Sequence, residues 1–325
     1  MKHFAILAAA KAVPEKVVSN EALTKLMPTS DEWIRQRTGI ATRHVATTET
    51  TTSLCTEVAK SLLAQTGLGA DQLDLIVVAT MSADYHTPSV AASVQGQIKA
   101  TNATAFDLNA ACSGFVYGLN LFEQLMQTGA YQNGLLIGGE VLSRLVDWHD
   151  RRTAVLFGDG AAGVWLSRDP AQQGQVLGRD LRTLGELGHY LTAGQMPAQP
   201  VFNSAKTENS PFFKMNGRRV YEFAVKNVPL SIARACAQAD LRPDQIDHFV
   251  LHQANARIIT SVAGKMGLPL ARFPMNIDRY GNTAAASEPI LLAELIANQQ
   301  IKRGDVLALS GFGGGLTIGT VIIRY

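Results

Sequence analysis

Two stretches of the chain share one rhythm of polar turn followed by an unbroken apolar run. Asp71-Gln-Leu-Asp-Leu-Ile-Val-Val-Ala-Thr80 is echoed by Asp244-Gln-Ile-Asp-His-Phe-Val-Leu-His-Gln253. A continuous rather than alternating run predicts a strand buried on both faces. Downstream of the first stretch lies Gly134-Leu-Leu-Ile-Gly-Gly-Glu140, and downstream of the second Asp305-Val-Leu-Ala-Leu-Ser-Gly311. Each series closes on a glycine-rich turn and an apolar strand, Gly158-Asp-Gly-Ala-Ala-Gly-Val-Trp165 and Gly313-Gly-Gly-Leu-Thr-Ile-Gly-Thr-Val321. Three echoes in the same order predict an internal duplication, with halves at 1–170 and 171–325 related by a pseudo-twofold.

Helical periodicity fills the intervals. Phe115, Leu119, Phe122 and Met126 mark a helix stopped by Gly129, and Ile258, Val262 and Met266 mark another stopped by Gly267 with Pro269 beyond. A third runs from Ile290 to Ile296. Strands alternating with helices predict an α/β protein whose sheets are covered by helices. Gln172–Met215, rich in Gly, Gln, Pro and Asn, has poor periodicity and reads either as a connection between halves or as a loop lining a site.

Composition narrows the picture. Of 325 residues 46% are hydrophobic and 17% charged, which allows a large core and excludes a disordered chain. A formal net charge of +2, with no long basic run, gives no reason to expect nucleic-acid binding. No stretch reaches the roughly 20 apolar residues of a membrane span. Phe4–Ala10 is read as a buried opening strand rather than a signal sequence, because the run is short and Lys11 follows it. Three cysteines without paired spacing suit neither a disulfide framework nor a zinc site, and point to a reducing, cytoplasmic setting.

Cys112 stands in Asp107-Leu-Asn-Ala-Ala-Cys-Ser-Gly-Phe115, between an apolar strand (Ala103–Leu108) and the Phe115–Met126 helix. At a helix N-terminus the free amides and the dipole favour thiolate. Cys55 and Cys236 lie in amphipathic or alanine-rich helical sequence and are assigned to the core. His252 ends an apolar strand and opens the polar cluster His252-Gln-Ala-Asn-Ala-Arg257, at the strand end where open α/β sheets place their sites. A satisfied structural histidine is the competing reading. His44, His86, His149 and His189 have no such setting and default to the surface. Asn282, alone, is a turn residue after Gly281. Together Cys, His and Asn supply a nucleophile, a proton or hydrogen-bond donor, and a donor that does not titrate. Gly313-Gly314-Gly315 has no following Lys-Ser/Thr and so is not a phosphate cradle.

With these residues in view, the chain resembles the β-ketoacyl-acyl-carrier-protein synthase III family of thiolase-like condensing enzymes. The motifs that carry the resemblance are Thr29-Ser-Asp-Glu-Trp-Ile-Arg-Gln-Arg-Thr-Gly-Ile40, Ala110-Ala-Cys-Ser-Gly-Phe115, Phe157-Gly-Asp-Gly160, His252-Gln-Ala-Asn-Ala-Arg-Ile258, Gly281-Asn-Thr283 and Phe312-Gly-Gly-Gly315. It implies a duplicated five-layer α-β-α-β-α fold, a cytoplasmic homodimer, no cofactor and no metal. The implied substrates are an acyl-CoA, whose acyl group Cys112 accepts, and malonyl-acyl-carrier protein, whose enolate His252 and Asn282 stabilise. Gly314 N–H and the Cys112 N–H would hold the oxyanion. Trp33, Arg37, Arg151 and Asn255 carry over as CoA contacts; Arg257 and Lys265 fall on the face for an acidic carrier protein; Thr87, Phe157 and Met215 shape the acyl pocket. The alternative reading of Trp33 is ordinary packing after a Thr29–Glu32 capping box.

Three positions depart from the family pattern. Glu222 stands where relatives carry a basic residue. Glu288 replaces an aliphatic residue and reads either as an acid favouring a helix first turn or as a buried acid altering the site. Thr87 is small where some relatives have an aromatic, which suggests room for longer or branched chains. Glu222 and Glu288 also keep open a condensing-fold acyltransferase with a small-molecule acceptor. A thiolase would need a second catalytic cysteine, for which Cys236 is badly placed, and a cysteine hydrolase would not need the duplication.

Overall fold

The computed structural model describes residues 4–172, 174–196 and 210–325. The first part of the chain runs β1 (Ala5–Ala12), β2 (Val17–Ser19), α1 (Asn20–Leu23), α2 (Asp31–Thr38), β3 (Thr42–His44), α3 (Thr51–Thr66), β4 (Leu75–Ala79), α4 (Val90–Ile98), β5 (Thr104–Leu108), α5 (Gly114–Gln127), β6 (Asn133–Glu140) and β7 (Gly160–Ser167). The second runs β8 (Gln175–Thr183), β9 (Leu191–Thr192), β10 (Lys214–Met215), α6 (Gly217–Gln238), β11 (His248–Leu251), α7 (Ala256–Met266), α8 (Ile277–Tyr280), α9 (Ser287–Ala297), β12 (Val306–Gly313) and β13 (Thr317–Arg324).

Two mixed sheets result, ordered β1-β7-β6-β4-β5 and β8-β13-β12-β11. In each, the strands at the β4 and β11 end are parallel and those toward β1 and β8 antiparallel. The sheets therefore superimpose in order and direction, β4 on β11, β6 on β12, β7 on β13 and β1 on β8. Among the described residues the second sheet lacks a counterpart of β5.

The apolar runs are continuous because both faces of each sheet are covered. Along β4, Leu75 and Val77 point to the central layer with Phe115, Leu119 and Phe122 of α5, whereas Ile76 and Val78 meet Leu54, Val58 and Leu62 of α3 on the other face. Along β11, Val250 faces the central layer and Phe249 and Leu251 face α6 and α7. The order of layers is α3/α4, first sheet, α5/α9, second sheet, α6/α7: the expected five-layer α-β-α-β-α fold. Cys55 and Cys236 are buried core residues, as read.

The two halves interlock through glycines in their central strands. The turn Ala284–Ala286 before α9 lies on Gly138 of β6, where a Cβ would collide with the Ala285 carbonyl. The turn Ala111–Ser113 before α5 lies reciprocally on Gly311 of β12, where a Cβ would stand 2.9 Å from Ser113 Cα and 3.3 Å from the Cys112 carbonyl oxygen.

Three expectations need correction. The Gln172–Met215 segment is not irregular throughout, since it contains β8, a half-buried edge strand paired to β13, while Gly188, Leu191, Phe213 and Met215 line a cavity as one of its two readings expected; its residues 173 and 197–209 lie outside the described residues. Ser30 rather than Thr29 caps α2, its hydroxyl accepting from the Trp33 N–H at 3.1 Å. His44 is half-buried instead of superficial, its Nδ1 2.6 Å from the Pro14 carbonyl and its ring stacked on Tyr280. His86, His149 and His189 are exposed.

Gly138→Ala should destabilise the fold by about 1–3 kcal/mol through overpacking against backbone that cannot yield. Gly264→Ala, mid-helix in α7 with open space around its Cβ position, should instead stabilise it by about 0.5–1 kcal/mol. Thermal unfolding of both variants beside the parent checks the pair; equal shifts in one direction would refute this account.

Candidate active site

Cys112 sits in the single 3-10 turn that joins β5 to α5, and the turn forces Ala111 into the left-handed region at φ +47°. The equivalent turn before α9 does the same to Ala284 at φ +43°. A non-glycine residue there costs roughly 1–2 kcal/mol, and both turns offset it in the same way. Asn109 Oδ1 accepts from the Ala111 N–H at 3.1 Å, and Asn282 Oδ1 accepts from the Ala284 N–H at 2.9 Å. The asparagine two residues ahead thus nails each turn. For Asn282 the bond also occupies the carbonyl end of the amide, leaving the NH2 as the donor end.

The thiol is 6% exposed. Burial is the main cause that pushes its pKa up, and the amides of Cys112 and Gly314 oppose it. The helix-end argument expected a thiolate; desolvation by the packed surroundings outweighs it. Those two amides are nonetheless the pair expected to hold an oxyanion. Gly313, the first of the three glycines in the Gly313–Gly315 run, makes their approach possible: a Cβ there would lie 2.6 Å from Cys112 Cβ.

His252 follows β11 and continues its ladder, its N–H donating to the Ser310 carbonyl at 2.8 Å. The ring meets Phe312 edge-on at 5.1 Å. It is 1% exposed, and burial drives its pKa down from 6.5 to about 3, so the imidazole is neutral. Asn282 is fixed by backbone bonds on both sides: its N–H donates to the Leu156 carbonyl at 2.8 Å and its carbonyl accepts from Gly158 N–H at 3.0 Å.

These three side chains line one cavity of about 950 Å³, with Gly314, Phe157 and Met215 also on its wall. Phe213, not foreseen, stacks on Phe157 at 4.1 Å and joins them. Trp33, Arg37, Arg151 and Asn255 line the same cavity. The Arg151 guanidinium lies 5.2 Å from the Trp33 ring centroid. Asn255 caps α7, accepting from Arg257 N–H at 2.9 Å, and donates to the Arg37 carbonyl at 3.0 Å, which ties α2 to α7. Thr87 is exposed and does not line this chain's cavity. Arg257 and Lys265 are exposed on α7, outside the cavity. Glu222 is bound to Arg218 and Arg219 at 2.9 and 3.2 Å, so its charge is matched locally. Glu288 is fully buried, which rules out its reading as a solvated first-turn acid.

A duplicated five-layer fold with a cysteine at the central turn and neutral His and Asn beside it defines a condensing acyltransferase. The comparisons give the family. Residues 106–185 match the family model "3-Oxoacyl-[acyl-carrier-protein (ACP)] synthase III" and residues 236–325 its C-terminal counterpart. The chain is 59% identical to the β-ketoacyl-[acyl-carrier-protein] synthase III of Lactobacillus helveticus over 99% of its own length and 98% of the relative's. It is also 59% identical to that of Levilactobacillus brevis, over 100% and 99%. The crystal structure of the synthase III from Aquifex aeolicus superimposes with a TM-score of 0.93 at 38% identity, covering 99% of this chain and 100% of that one. The chain belongs to the 3-oxoacyl-[acyl-carrier-protein] synthase III family, and its function is that of this acyltransferase of fatty acid biosynthesis. Among the described residues no helix is long and apolar enough to cross a membrane.

A neutral His252 has a direct signature. Its ring 15N shifts should stay constant between about pH 8 and 5, the range in which exposed histidines titrate. A midpoint near 6.5 would show that the ring is hydrated or paired with an anion and would overturn the neutral assignment.

Proposed function

We propose that Cys112 carries the acyl group and that His252 and Asn282 serve the decarboxylative half of the reaction. The observation that supports this is their convergence on one cavity whose wall also includes Gly314, with the Gly313 backbone packed against Cys112. Cys112 Sγ attacks the thioester carbon of acyl-CoA, and the Cys112 and Gly314 amides hold the tetrahedral oxyanion. The CoA thiolate leaves and takes up the proton lost by the cysteine. Malonyl-acyl-carrier protein then enters and loses CO2, and the enolate oxygen receives hydrogen bonds from the neutral His252 ring and the Asn282 NH2. The enolate carbon attacks the acyl-Cys112 carbonyl, the C–S bond breaks, and Cys112 regains a proton from solvent as the 3-oxoacyl-carrier protein departs. Neutral donors suit this step because the negative charge exists only during reaction.

The adenine and phosphates of CoA fall to Trp33, Arg37 and Arg151, where a ring face and guanidinium forks provide stacking and bidentate bonds. Asn255 holds the walls of that entrance together. Arg257 and Lys265 are exposed, and among the described residues neither takes part in an ion pair, which suits them to meet an acidic carrier protein. No cofactor or metal is called for, since thiol, amides and neutral donors account for every step. A homodimer is supported by β5, a half-buried edge strand carrying Phe106 and Leu108 that is left unpaired on one side, and Thr87 would then face the partner's acyl pocket. The halves 1–170 and 171–325 and a cytoplasmic location complete the reading.

Intact mass after incubation with acyl-CoAs of rising chain length tests it. An adduct should form on the parent, be absent in Cys112→Ala, and discharge as a 3-oxoacyl product on addition of malonyl-carrier protein. His252→Ala and Asn282→Ala should still acylate but discharge more slowly by about 10²–10³-fold. Loss of acylation and discharge to the same extent would refute the division of labour.

A further inference from the structure

Glu288 lies in the first turn of α9, at the position equivalent to Phe115 in α5, so the fold's own duplicate places a core phenyl where this chain has a carboxyl group. The side chain is fully buried. A Cβ on Gly311 would stand 2.7 Å from its Oε1, which puts the carboxyl on the floor formed by β12 directly beneath the Cys112–Ser113 turn. Neither carboxyl oxygen has a hydrogen-bond partner among the described residues. His252 Nδ1 is also buried and without a partner. The two face each other, Glu288 Oε2 4.0 Å from His252 Nδ1, and His252 is the only basic group within that distance among the described residues.

Two unpartnered buried polar groups each carry a desolvation cost of about 1–3 kcal/mol, which a small side-chain rotation would remove by joining them. Only one protonation pattern joins them and also serves the reaction. Were Glu288 ionised, it would draw the ring proton to Nδ1 and leave Nε2, the nitrogen on the cavity side, as a bare lone pair facing the enolate oxygen. Were it protonated, its O–H would donate to Nδ1 and the ring proton would stay on Nε2, available to the substrate. Burial without any cation raises the carboxyl pKa well above its usual range and lowers that of His252, so a neutral pair is the stable form.

We infer that Glu288 is a positioning residue for His252, a carboxylic acid whose O–H donates to Nδ1 and holds the imidazole in the tautomer that presents Nε2–H to the enolate. This rests on the reading of His252 as an enolate donor. It assigns to a residue outside the Cys-His-Asn set a role in decarboxylation and none in acyl transfer to Cys112.

Glu288→Gln keeps a donor to Nδ1 but cannot ionise, whereas Glu288→Leu keeps the volume and removes the donor. Malonyl-carrier-protein decarboxylation, acetyl-CoA loading of Cys112 and ring 15N shifts of His252 are to be measured on both, with His252→Ala alongside. The expectation is that Gln retains most of the parental decarboxylation rate and the Nε2-protonated ring signature. Leu should lose on the order of tenfold or more in decarboxylation, with a changed ring signature, and both should load Cys112 as the parent does. An infrared carbonyl band of a protonated carboxyl at neutral pH, lost in Gln, would report the acid itself. Parental decarboxylation in Leu with an unchanged ring signature would overturn the inference, as would a loss in Gln as deep as in Leu. If Leu misfolds, the Gln variant and the infrared band still decide. If His252→Ala itself decarboxylates normally, the fault lies in the underlying reading of His252.

Discussion

The contact on which the rest depends is the reciprocal seating of each half's helix-initiating turn on a glycine of the other half's central strand. Gly138 receives the Ala284–Ala286 turn and Gly311 receives the Ala111–Ser113 turn. Neither position has room for a side chain, so the sheets approach until the two turns stand side by side at the pseudo-twofold. Further bonds hold the crossing: Ser113 Oγ lies 2.9 Å from Thr317 Oγ1, which also donates to the Gly314 carbonyl at 2.9 Å. The sulfur and the second amide at it are thereby fixed by one small assembly, drawn from both halves. Sites built on such packed elements are more rigid than loop sites, and a shift of about 1 Å is enough to lose two orders of magnitude in rate.

Burial sets the electrostatics of that assembly. It disfavours every charged form at once, raising the Cys112 thiol and the carboxyls of Glu140 and Glu288 and lowering the His252 imidazole. For Glu140 the carboxyl is raised to about 7 despite bonds from Ser82, Thr80 and the Met81 amide. For Cys112, His252 and Glu288 the resting form is therefore neutral. On the proposed mechanism charge would enter the site only transiently, on an oxyanion or an enolate, where amide, imidazole and carboxamide donors are already in place without reorganisation.

Much of this was legible in the chain itself. The β4 and β11 repeats read clearly because a strand buried on both faces cannot hide its continuous apolar run. Cys112 and His252 stood out because each lies where an apolar strand ends in a polar or small-residue turn, whereas Asn282 read alone as a turn residue and gained meaning only beside them. Other features left no local trace. β8 was missed because an edge strand half-covered on its faces admits Gln175, Arg179, Asp180 and Arg182, and its alternation is diluted by Gly178. Phe213 was missed because its importance lies in its contact with Phe157, far away in sequence. The direction of the thiol's pKa was misjudged because a helix end is visible in sequence while desolvation is a property of the packed whole.

The least visible repeat explains how one geometry came to do two jobs. Asn109-Ala-Ala111 and Asn282-Thr-Ala284 make the same asparagine-braced, left-handed turn, yet no apolar pattern advertises the match. After it the halves diverge residue by residue: Cys112-Ser-Gly-Phe115 in one, Ala285-Ala-Ser-Glu288 in the other. The first turn keeps a thiol and a core phenyl. The second has an alanine where the thiol would be and puts a carboxyl group where the phenyl would be. That carboxyl lies under the histidine of the same half, and a buried acid is tolerated there only if a neighbour shares its proton. On the proposed mechanism the duplicated scaffold separates nucleophile from enolate donors while holding both on the wall of one cavity, so that acyl transfer and decarboxylation would be tuned by different residues without moving either.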